Sequence, residues 1–551
     1  MPKETELLEL LLNNRGVKKE DWNKFLNPSY EKGLYDPYLM KDMEKTCIRI
    51  FEAVEAKEKI VIYSDYDCDG IPASVIMFDF FTKIGYQNFT IYIPDRHDEG
   101  YGLHLDAIKN FIEDGVNLLI TFDLGITAIP EVALAQASGL DVIITDHHLT
   151  QDILPDSFAI LNPKQEGCLY PDKMLCGAGI AFKLVQALII KYGEYWKINS
   201  GWEKWLLDMA GVATLSDQVP LLDENRVLAY FGLKVLQKGR RPGLVELFKK
   251  AGVDITKLNE EDVTFTLAPR INAASRMADP IEAFNLLKAT DLVEAKELAK
   301  RLSDINDERK IIVAHIMKEV KHTLSLREDK SLIVIGNPKW RIGVLGIVAS
   351  KIVDEHKKPV FVWGGDGNGD LKGSCRSYGE TNLVEMMSKL PENSMLAFGG
   401  HKGAGGFSVS HEEVHFLEER LLKVFNNNLE VEVKQDYMLD ATIDLDDINY
   451  ANYKVIESLA PYGSGNPKPM FLIKKAEIKA IKEFGKEKNH LELTFKNSRE
   501  LPIKAIVFFK TRESFSPNLS LGDEINMIVT FEKSTFGGRT ELRLRIVDIL
   551  C

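Results

Sequence analysis

Three short apolar runs in the first part of the chain contain no alternating polar positions. They cover residues 60–63, 118–122 and 142–145 and are rich in β-branched side chains. Continuous apolar runs of this length are typical of parallel strands that helices cover on both faces. Because helical segments lie between them, these runs predict a doubly wound α/β domain over residues 56–280.

After residue 280 the apolar positions follow a helical period. They recur at spacings of three, four or seven residues at Leu298, Leu302, Ile305, Ile312, Ile316 and Val320. This spacing predicts a connecting helix over residues 281–330 that spans two domains, with Asp291 and Glu294 as a capping box near its start. An apolar strand at residues 331–335 then opens a second α/β domain over residues 331–430.

The two ends of the chain have different patterns. Residues 1–55 mix polar and apolar positions and predict a helical lead-in that packs on the core of the first domain. Near the other end, apolar side chains alternate with polar ones at Leu491, Leu493 and Phe495. Several short strands of this kind, with a glycine turn at residues 537–538, predict a small β-barrel over residues 436–551.

Length and composition narrow the class of protein. The chain has 551 residues, of which 45% are hydrophobic, so it can bury several cores. It has no apolar run of about 18 residues and no apolar signal region at its start, so we expect a cytoplasmic protein with no membrane span. Its six cysteines include no C-x-x-C pair, which argues against a zinc module and against a disulfide framework.

The net charge of −13 at first argues against a nucleic-acid partner, because nonspecific binding depends on neutralising phosphates with Lys and Arg. Net charge is not local potential, however. Bound divalent ions reverse the local sign around a group of acids, and basic residues elsewhere can line the path of a substrate.

Acidic and imidazole side chains follow all three apolar runs and one later helical segment. They are Asp65, Asp67 and Asp69, then Asp123, then Asp146, His147 and His148, and finally Asp217. Because ligand groups in open α/β sheets gather at the carboxyl ends of the strands, we expect these side chains to converge. Crowded carboxylates repel one another unless cations lie between them, and oxygen ligands with one or two imidazoles suit Mn²⁺ or Mg²⁺.

A simpler interpretation applies to the single acids. Asp123 or Asp217 alone could be a turn residue or a helix cap. Asp65, Asp67 and Asp69 fit that interpretation poorly, since three like charges at alternate positions are costly without a cation. The four segments together predict a two-metal hydrolase.

Seven segments resemble the motifs of a known family. Residues 65–70, 146–148 and 216–221 are similar to motifs of the DHH phosphoesterase superfamily. Within that superfamily, four further segments resemble motifs of the RecJ family and occur in the same order along the chain. They are residues 268–277, 372–377, 399–406 and 461–469. The departures from the family motifs are small. Ser275 and Cys375 stand where the family usually has glycine, and residues 402–405 differ in sequence from the family's loop of small residues.

The resemblance implies both a fold and an activity. The fold is a doubly wound parallel-sheet DHH domain, joined by a long helix to a second α/β, DHH-associated domain, and followed by an OB-type barrel. The implied activity is a single-stranded-DNA-specific 5′→3′ exonuclease that uses two divalent cations, Mn²⁺ or Mg²⁺. Such an enzyme releases 5′-mononucleotides in DNA recombination and repair. We further expect a monomer, with a helicase or a single-strand-binding protein as an additional partner.

The resemblance also implies roles for individual residues. The metal ligands are Asp67, Asp69, Asp123, His147 and Asp217, with Asp123 as the bridging carboxylate. Together with His148, which is expected to face the phosphate, they form the catalytic set. Asp65 and Asp146 are expected to orient the ligands. Tyr63 stands where some relatives have a further His, so the metal nearest to it is expected to bind weakly.

Further residues are expected to bind the strand. Ser374, Arg376 and His401 receive the 5′ end, while the residues expected to lie near the cleft are Arg270, Asn272, Arg276, Arg96 and Tyr101. In the barrel, the basic and aromatic candidates are Lys486, Lys488, Lys533, Arg539, Arg543, Arg545, Phe484, Phe508 and Phe536.

Two other functions stay open at this point. One is a phosphodiesterase for short oligoribonucleotides or cyclic dinucleotides, and the other is a catalytically silent DNA- or replisome-binding scaffold. A strand-binding barrel favours long substrates over the first. The presence of every expected acid favours catalysis over the second.

Overall fold

The computed structural model describes residues 4–96, 99–365, 369–426, 437–485, 488–515, 518–534 and 540–550. The strands within these ranges form three sheets, one in each of three successive parts of the chain. Among the helices in the same ranges, none is both long and apolar enough to cross a membrane.

The lead-in packs on two different cores. Its helices are α1 (Glu4–Asn14), α2 (Trp22–Leu26), α3 (Tyr30–Gly33) and α4 (Met43–Glu55). Met43 and Ile50 are buried in the first domain, as expected. Leu7, Leu11 and Phe25 are instead buried in the core of the C-terminal sheet. The prediction that residues 1–55 pack on the first core is therefore wrong for the first half of the lead-in, because an amphipathic pattern does not specify which apolar surface covers it.

The three continuous apolar runs form neighbouring strands. The first sheet contains β1 (Ile60–Ser64), β2 (Phe89–Tyr92), β3 (Leu118–Phe122), β4 (Asp141–Thr145) and β5 (Ala159–Leu161). Its strands are all parallel, in the order β2-β1-β3-β4-β5. From β1 the chain goes first to β2 on one side and then to β3 on the other. The crevice outside the carboxyl ends of β1 and β3 is therefore the switch point where α/β sheets bind ligands.

Helices cover both faces of this sheet, which explains why every residue of β1 and β3 is buried. The helices of this domain, some of which pack on the sheet and others on one another, are α5 (Gly70–Lys83), α6 (Leu105–Glu113), α7 (Ile129–Ala137), α8 (Gly177–Tyr192), α9 (Leu207–Ser216), α10 (Asp223–Leu236), α11 (Pro242–Lys250), α12 (Glu260–Asp262), α13 (Ala268–Met277) and α14 (Ile281–Lys288). Ile60 and Ile62 face the core that contains α5 and α8. Val61 and Tyr63 face the core on the other side, with α6 and α7. The domain is therefore doubly wound.

The connecting helix α15 (Leu292–Ser325) is 34 residues long and packs on two domains. It starts later than residue 281, because α14 is a separate helix. Asp291 caps it by accepting hydrogen bonds from the backbone nitrogens of Val293 and Glu294, each at 2.9 Å. Its first half buries Leu302 in the first domain, and its second half buries Ile316 in the second.

The second domain contains a mixed sheet. Its strands are β6 (Ile333–Asn337), β7 (Val360–Gly364), β8 (Leu371–Arg376), β9 (Ala397–His401) and β10 (Ala404–Val409), in the order β6-β7-β8-β10-β9. The β6–β7 pair is parallel, and the other pairs are antiparallel. The helices are α16 (Leu345–His356), α17 (Leu383–Ser388) and α18 (Val414–Asn426). The opening strand begins at Ile333, two residues later than its apolar pattern predicts.

The C-terminal part is a β-rich domain. Its elements are β11 (Ala441–Thr442), α19 (Tyr450–Glu457), β12 (Phe471–Glu477), β13 (Ala480–Phe484), β14 (His490–Lys496), β15 (Pro502–Val507), β16 (Glu524–Ser534) and β17 (Glu541–Leu550). The strands form a sheet in the order β11-β12-β16-β17-β15-β14-β13. Leu491, Leu493 and Phe495 alternate into its core, as their spacing predicts. The glycine turn predicted at residues 537–538 lies outside the described residues.

Candidate metal centre

The acidic turn after β1 is held by backbone amides. One oxygen of Asp67 accepts hydrogen bonds from the backbone nitrogens of Asp69 and Gly70, at 2.8 and 3.1 Å. The carboxylate of Asp69 accepts bonds from the first two amides of α8, Gly177 and Ala178, at 2.6 and 2.7 Å. An anion at a helix N-terminus is favoured by the unpaired amides and by the helix dipole. This contact fixes the turn after β1 against α8.

Asp123 follows β3 in a left-handed conformation, with φ of 63°. Aspartate is one of the non-glycine residues that adopt this region most readily. A Cβ atom at Gly177 would lie 2.8 Å from the Asp123 Cβ and 3.1 Å from the Asp69 Oδ2. Only glycine at residue 177 therefore lets Asp69, Asp123 and α8 approach this closely.

Asp146 positions the two histidines that follow β4. Its carboxylate accepts from the backbone nitrogens of Ile126, His147 and His148 at 2.9, 2.7 and 3.1 Å, and it contacts the His148 Nδ1 at 2.8 Å. Burial opposes ionisation, but the hydrogen bond and the charge of His148 hold the pKa of Asp146 below its usual value. Asp146 thus contacts both histidines, and its role in orienting metal ligands stays a prediction.

His147 lies at the middle of the acidic side chains. Its Nε2 is 3.0 Å from the Asp123 Oδ1 and 3.6 Å from the Asp69 Oδ2, while its Nδ1 is 3.9 Å from the Asp217 Oδ2. Asp217 is delivered by the end of α9, and the neighbouring Ser216 hydroxyl donates to the Cys68 carbonyl at 2.7 Å. Burial and the charge of His148 lower the pKa of His147 to about 3, so its imidazole is neutral and suited to a metal.

Ligand atoms from these segments form groups of the size of a metal site. Asp65, Asp67 and Asp123 form one group, and Asp69, His147 and Asp217 form another, each with ligand atoms within 4.8 Å of one another. A third combination of Asp123, His147 and His148 meets the same limit. Asp123 and His147 therefore connect the two groups, as expected of a shared site.

Neighbouring cations do not offset the burial and mutual repulsion of these carboxylates. Burial, followed by the charge of Asp67, raises the pKa of Asp69 to about 7, and burial with the charges of Asp69 and Asp67 raises that of Asp217 to about 8. Burial and neighbouring carboxylates also raise the pKa values of Asp65 and Asp123. Among the described residues, the buried Oδ1 atoms of Asp65 and Asp123 have no hydrogen-bond partner, although the latter lies close to His147. A set of mainly oxygen ligands with uncompensated negative charge fits Mn²⁺ or Mg²⁺.

Two expected roles need comment. Asp65 is expected from the sequence only to orient ligands, but its position in the group with Asp67 and Asp123 suits a ligand equally well. Tyr63 lies outside both groups, because its buried hydroxyl donates to the Gly102 carbonyl at 3.0 Å. That the metal nearest to Tyr63 binds weakly stays a prediction.

The predicted substrate residues lie around the cleft between the two α/β domains. The Arg96 guanidinium lies 4.9 Å from the centre of the Tyr66 ring. The Tyr101 hydroxyl donates to the Asp123 carbonyl at 3.2 Å and lies 3.3 Å from the His148 Nδ1. The Asn272 side chain is already engaged, since its oxygen accepts from the Cys68 nitrogen at 2.8 Å. Asn272 thus supports the acidic turn, and its contact with substrate stays a prediction.

Arginines from both domains come close together in this cleft. Burial, followed by the like charges of Arg96, Arg309 and Arg376, lowers the pKa of Arg276 to about 9. Arg276 also donates to the Gly343 carbonyl of the second domain at 3.3 Å. The Arg270 Nη1 donates to the Thr266 carbonyl at 2.7 Å, and its Nε is buried without a partner among the described residues. Cations gathered in this way are complementary to phosphates.

The 5′-end residues lie on the antiparallel part of the second sheet. Arg376 and Ser374 are on β8, and His401 is exposed at the end of β9. A Cβ atom at Gly346, in the first turn of α16, would lie 3.0 Å from the Arg376 Nη2 and 3.7 Å from the Ser374 Oγ. The glycine therefore lets the start of α16 pack closely against both side chains.

Sequence reasoning missed Arg309. It lies on α15, where its Nη2 donates to the Asn306 side chain at 2.9 Å and its Nε is buried without a partner among the described residues. Burial, followed by the charge of Arg270, lowers its pKa. Asn306 and Ser303 are also buried, at 0% and 3% exposure. Polar residues three apart at buried positions of a helix were the available signal, but the apolar stripe beside them is the stronger pattern.

Most of the strand-binding candidates that the structure describes in the C-terminal domain already contact other side chains. Phe484 and Phe508 pack around His490, and Arg545 lies 5.4 Å from the centre of the Phe508 ring. Phe509, which was not predicted, is 79% exposed beside them. Arg543 is paired with Glu532 across the sheet at 2.9 Å, and Lys533 lies over a tyrosine ring. Lys486, Phe536 and Arg539 lie outside the described residues.

The domains and the whole chain match known proteins. Residues 59–214 match the DHH family, N-terminal domain, residues 329–429 the DHHA1 domain, and residues 439–548 the RecJ OB domain. The chain is 37% identical to the single-stranded-DNA-specific exonuclease RecJ of Bacillus subtilis, over 99% of this chain and 68% of the relative. It is 30% identical to the RecJ of Haemophilus influenzae, over 94% of this chain and 92% of the relative.

Solved structures agree with the fold. RecJ from Thermus thermophilus in complex with Mn²⁺ superposes with a TM-score of 0.82 at 25% identity, covering 99% of this chain and 76% of that one. The same protein in complex with Mg²⁺ gives a TM-score of 0.76 at 24% identity, covering 98% and 74% of the two chains.

Fold and site together define a metal-dependent nuclease with DHH, DHHA1 and OB domains. The chain belongs to the RecJ family of single-stranded-DNA-specific exonucleases.

The raised carboxyl pKa values predict that Mn²⁺ binding depends on pH. Without a cation, Asp69 and Asp217 keep protons up to about pH 7 and 8, so Mn²⁺ must displace these protons. We expect the affinity for Mn²⁺ to rise as the pH increases through this range and then to level off. Calorimetric titration in two buffers of different ionisation enthalpy measures both the affinity and the released protons. A constant affinity without proton release would contradict the assignment.

The second prediction concerns Arg309. If this side chain contacts a phosphate, Arg309→Ala should weaken single-strand binding and reduce the slope of log affinity against log salt by about 0.7. Arg301 is a matched control on the same helix, because it is exposed and paired with Glu282 at 2.5 Å. Arg301→Ala should leave the slope unchanged. Equal slopes for the wild type and Arg309→Ala would exclude the contact.

Proposed function

We propose that this nuclease degrades single-stranded DNA from its 5′ end, hydrolysing phosphodiester bonds with two divalent cations and releasing 5′-mononucleotides. Its proposed biological setting is DNA recombination and repair, as the family resemblance implies. The observation that supports the mechanism best is the pair of ligand groups joined by Asp123 and His147, whose nearest atoms are 3.0 Å apart. Bound divalent cations supply charge stabilisation at the phosphate and activation of the attacking water.

In this mechanism His148 acts on the phosphate and not on a metal. Its Nδ1 contacts the Asp146 carboxylate, so the tautomer with a proton on Nδ1 leaves Nε2 for another contact. Burial opposes the charge, but Asp146 raises the pKa of His148. A charged His148 can therefore donate a hydrogen bond from Nε2 to a phosphate oxygen. The Tyr101 hydroxyl, 3.3 Å from Nδ1, helps to fix the ring.

The direction of digestion is assigned to the second domain. A guanidinium can bind a terminal phosphate through two parallel hydrogen bonds, whereas an internal phosphodiester offers fewer free oxygens. Arg376 and Ser374 both lie against the backbone of Gly346 in α16, so their guanidinium and hydroxyl groups are held near each other and are suited to that role. The arginines of the first domain and α15 would then hold the phosphates that follow.

The C-terminal domain supports a long substrate. Its aromatic cluster of Phe484, His490, Phe508 and Phe509 offers rings on which unpaired bases can stack. A dinucleotide needs no such surface, so the domain favours a polymer over cyclic dinucleotides. A helicase or single-strand-binding partner and a monomeric state stay predictions.

Digestion of end-labelled strands tests direction and substrate class. With Mn²⁺ or Mg²⁺, a 5′-labelled single strand should release labelled mononucleotide at once, while a 3′ label should stay on a shortening strand. Blunt duplex and RNA of the same sequence are the controls. Early release of the 3′ label would contradict the direction. Rapid hydrolysis of dinucleotides with slow attack on long DNA would instead favour the phosphodiesterase alternative.

Substitution of Arg376 tests the proposed 5′-end contact. Arg376→Ala should slow digestion of 5′-phosphorylated strands by about 10- to 100-fold, since hydrogen bonds to charged groups contribute about 1.5–3 kcal/mol. Digestion of 5′-hydroxyl strands should change little. Arg376→Lys should restore only part of the rate, because an ammonium keeps the charge without the paired donors. An unchanged preference for 5′-phosphate in Arg376→Ala would contradict the assignment.

A further inference from the structure

Two loops from different domains meet within five residues of Asp217 along the chain. The first, residues 217–222, joins α9 to α10 and is called here the Asp217 loop. The second, residues 459–467 of the C-terminal domain, is called the junction loop. The backbone nitrogen of Leu221 donates to the Ser464 carbonyl at 2.8 Å, which joins the two loops.

The contact between the loops leaves little room for a side chain at either of two glycines of the junction loop. Gly465 has φ of +73°, and a Cβ atom there would lie 3.1 Å from the Pro220 Cβ and 3.3 Å from the Leu222 Cγ. A Cβ atom at Gly463 would lie 2.9 Å from the Leu221 Cδ1. Leu221 itself is only 1% exposed. At these two positions the Asp217 loop thus packs directly against the backbone of the junction loop.

Buried polar side chains hold the junction loop in shape. Asn466 is fully buried, and its side-chain nitrogen donates to the carbonyls of Leu459 and Pro461, both at 2.8 Å. Its oxygen accepts from the Arg15 Nε of the lead-in at 2.9 Å. Because these buried groups satisfy one another, moving the loop would break several hydrogen bonds at once.

Arg226 ties the same loop to the helix that follows Asp217. It lies on α10, is 2% exposed, and donates to the carbonyls of Leu459 and Ala460 at 2.9 and 3.0 Å. A further bond reaches the Phe25 carbonyl at 2.8 Å. A buried guanidinium that binds carbonyls is costly to displace. The chain on the C-terminal side of Asp217 is therefore fixed by the C-terminal domain, through both Leu221 and Arg226.

We propose that the junction loop positions Asp217 in the metal centre, so that the C-terminal domain contributes to metal binding as well as to strand binding. This proposal rests on the proposed role of Asp217 as a metal ligand. In it, Gly465 and Arg226 are positioning residues that act through the Asp217 loop. Supports of this kind typically change metal affinity when they are altered.

The test uses Gly465→Ala in the full-length protein. The added methyl group displaces Pro220 and with it the Asp217 loop, so Mn²⁺ binding measured by calorimetry should weaken by about 10-fold. The Mn²⁺ concentration for half-maximal cleavage should rise similarly on oligonucleotides too short to reach the C-terminal sheet. Saturating Mn²⁺ should restore most of that cleavage. A loop that served only strand binding would affect long substrates and leave Mn²⁺ affinity unchanged.

Gly522→Ala is the matched control. Gly522 lies in the same domain with φ of +87°, and a Cβ atom there would meet nothing within 4 Å. The two substitutions share the backbone strain, but only Gly465→Ala presses on the Asp217 loop. Equal Mn²⁺ affinities for the two variants would overturn the proposal. If Gly465→Ala does not fold, Arg226→Lys replaces it, because the ammonium keeps the charge but cannot reach the Leu459 and Ala460 carbonyls in the same way as the guanidinium. Unchanged Mn²⁺ affinity in that folded variant would equally overturn the proposal.

Asp217→Asn separates this proposal from the one it rests on. If Asp217→Asn leaves Mn²⁺ binding unchanged, the role of Asp217 as a ligand fails, and the positioning proposal fails with it. If Asp217→Asn weakens binding while folded Gly465→Ala does not, the metal centre stands and only the positioning proposal is overturned.

Discussion

The mutual repulsion of buried carboxylates is the constraint on which the rest of this structure depends. The switch point between β1 and β3 brings Asp65, Asp67, Asp69 and Asp123 to one crevice, and the end of α9 adds Asp217. Backbone amides compensate part of this charge, most clearly the two amides of α8 that bind Asp69. The remaining charge must be balanced by protons or by cations, as the raised pKa values of these acids indicate. The repulsion among these carboxylates therefore favours the binding of divalent cations, which relieve it.

Positive charge is concentrated near these acids, where the two α/β domains meet. Arg270, Arg276 and Arg309 lie close enough to lower one another's pKa values or those of their neighbours, and Arg376 approaches from β8. Repulsion within each set of like charges is unfavourable unless opposite charge is bound nearby. In the proposed function a strand of phosphates lies between cations held by the acids and the guanidinium groups, so the substrate relieves repulsion on both sides. The net charge of −13 conceals this separation, because it averages over both sets.

The C-terminal domain is more closely integrated with the nuclease than its position at the end of the chain implies. Leu7, Leu11 and Phe25 from the beginning of the chain are buried in its core, and Arg226 of the first domain binds its backbone. Removing this domain would expose those apolar side chains and leave a buried cation without most of its acceptors, which is costly in itself. Loss of activity after such a truncation therefore would not measure strand binding alone.

The sequence by itself determined the local structure and the chemical inventory. Continuous apolar runs located β1, β3 and β4, the three-and-four spacing located α15, and the motif residues identified the acids and His147 that converge, because these properties depend on neighbours along the chain. Only the tertiary structure decided which surfaces meet. The sequence pattern allows Leu11 to pack on any apolar face. It allows Asn272 to contact either the substrate or the Cys68 amide. The position of Arg309 depends on the packing of α15 against α13. Contacts between distant segments are selected by the packing of the whole fold, and a single sequence has no local signal for them.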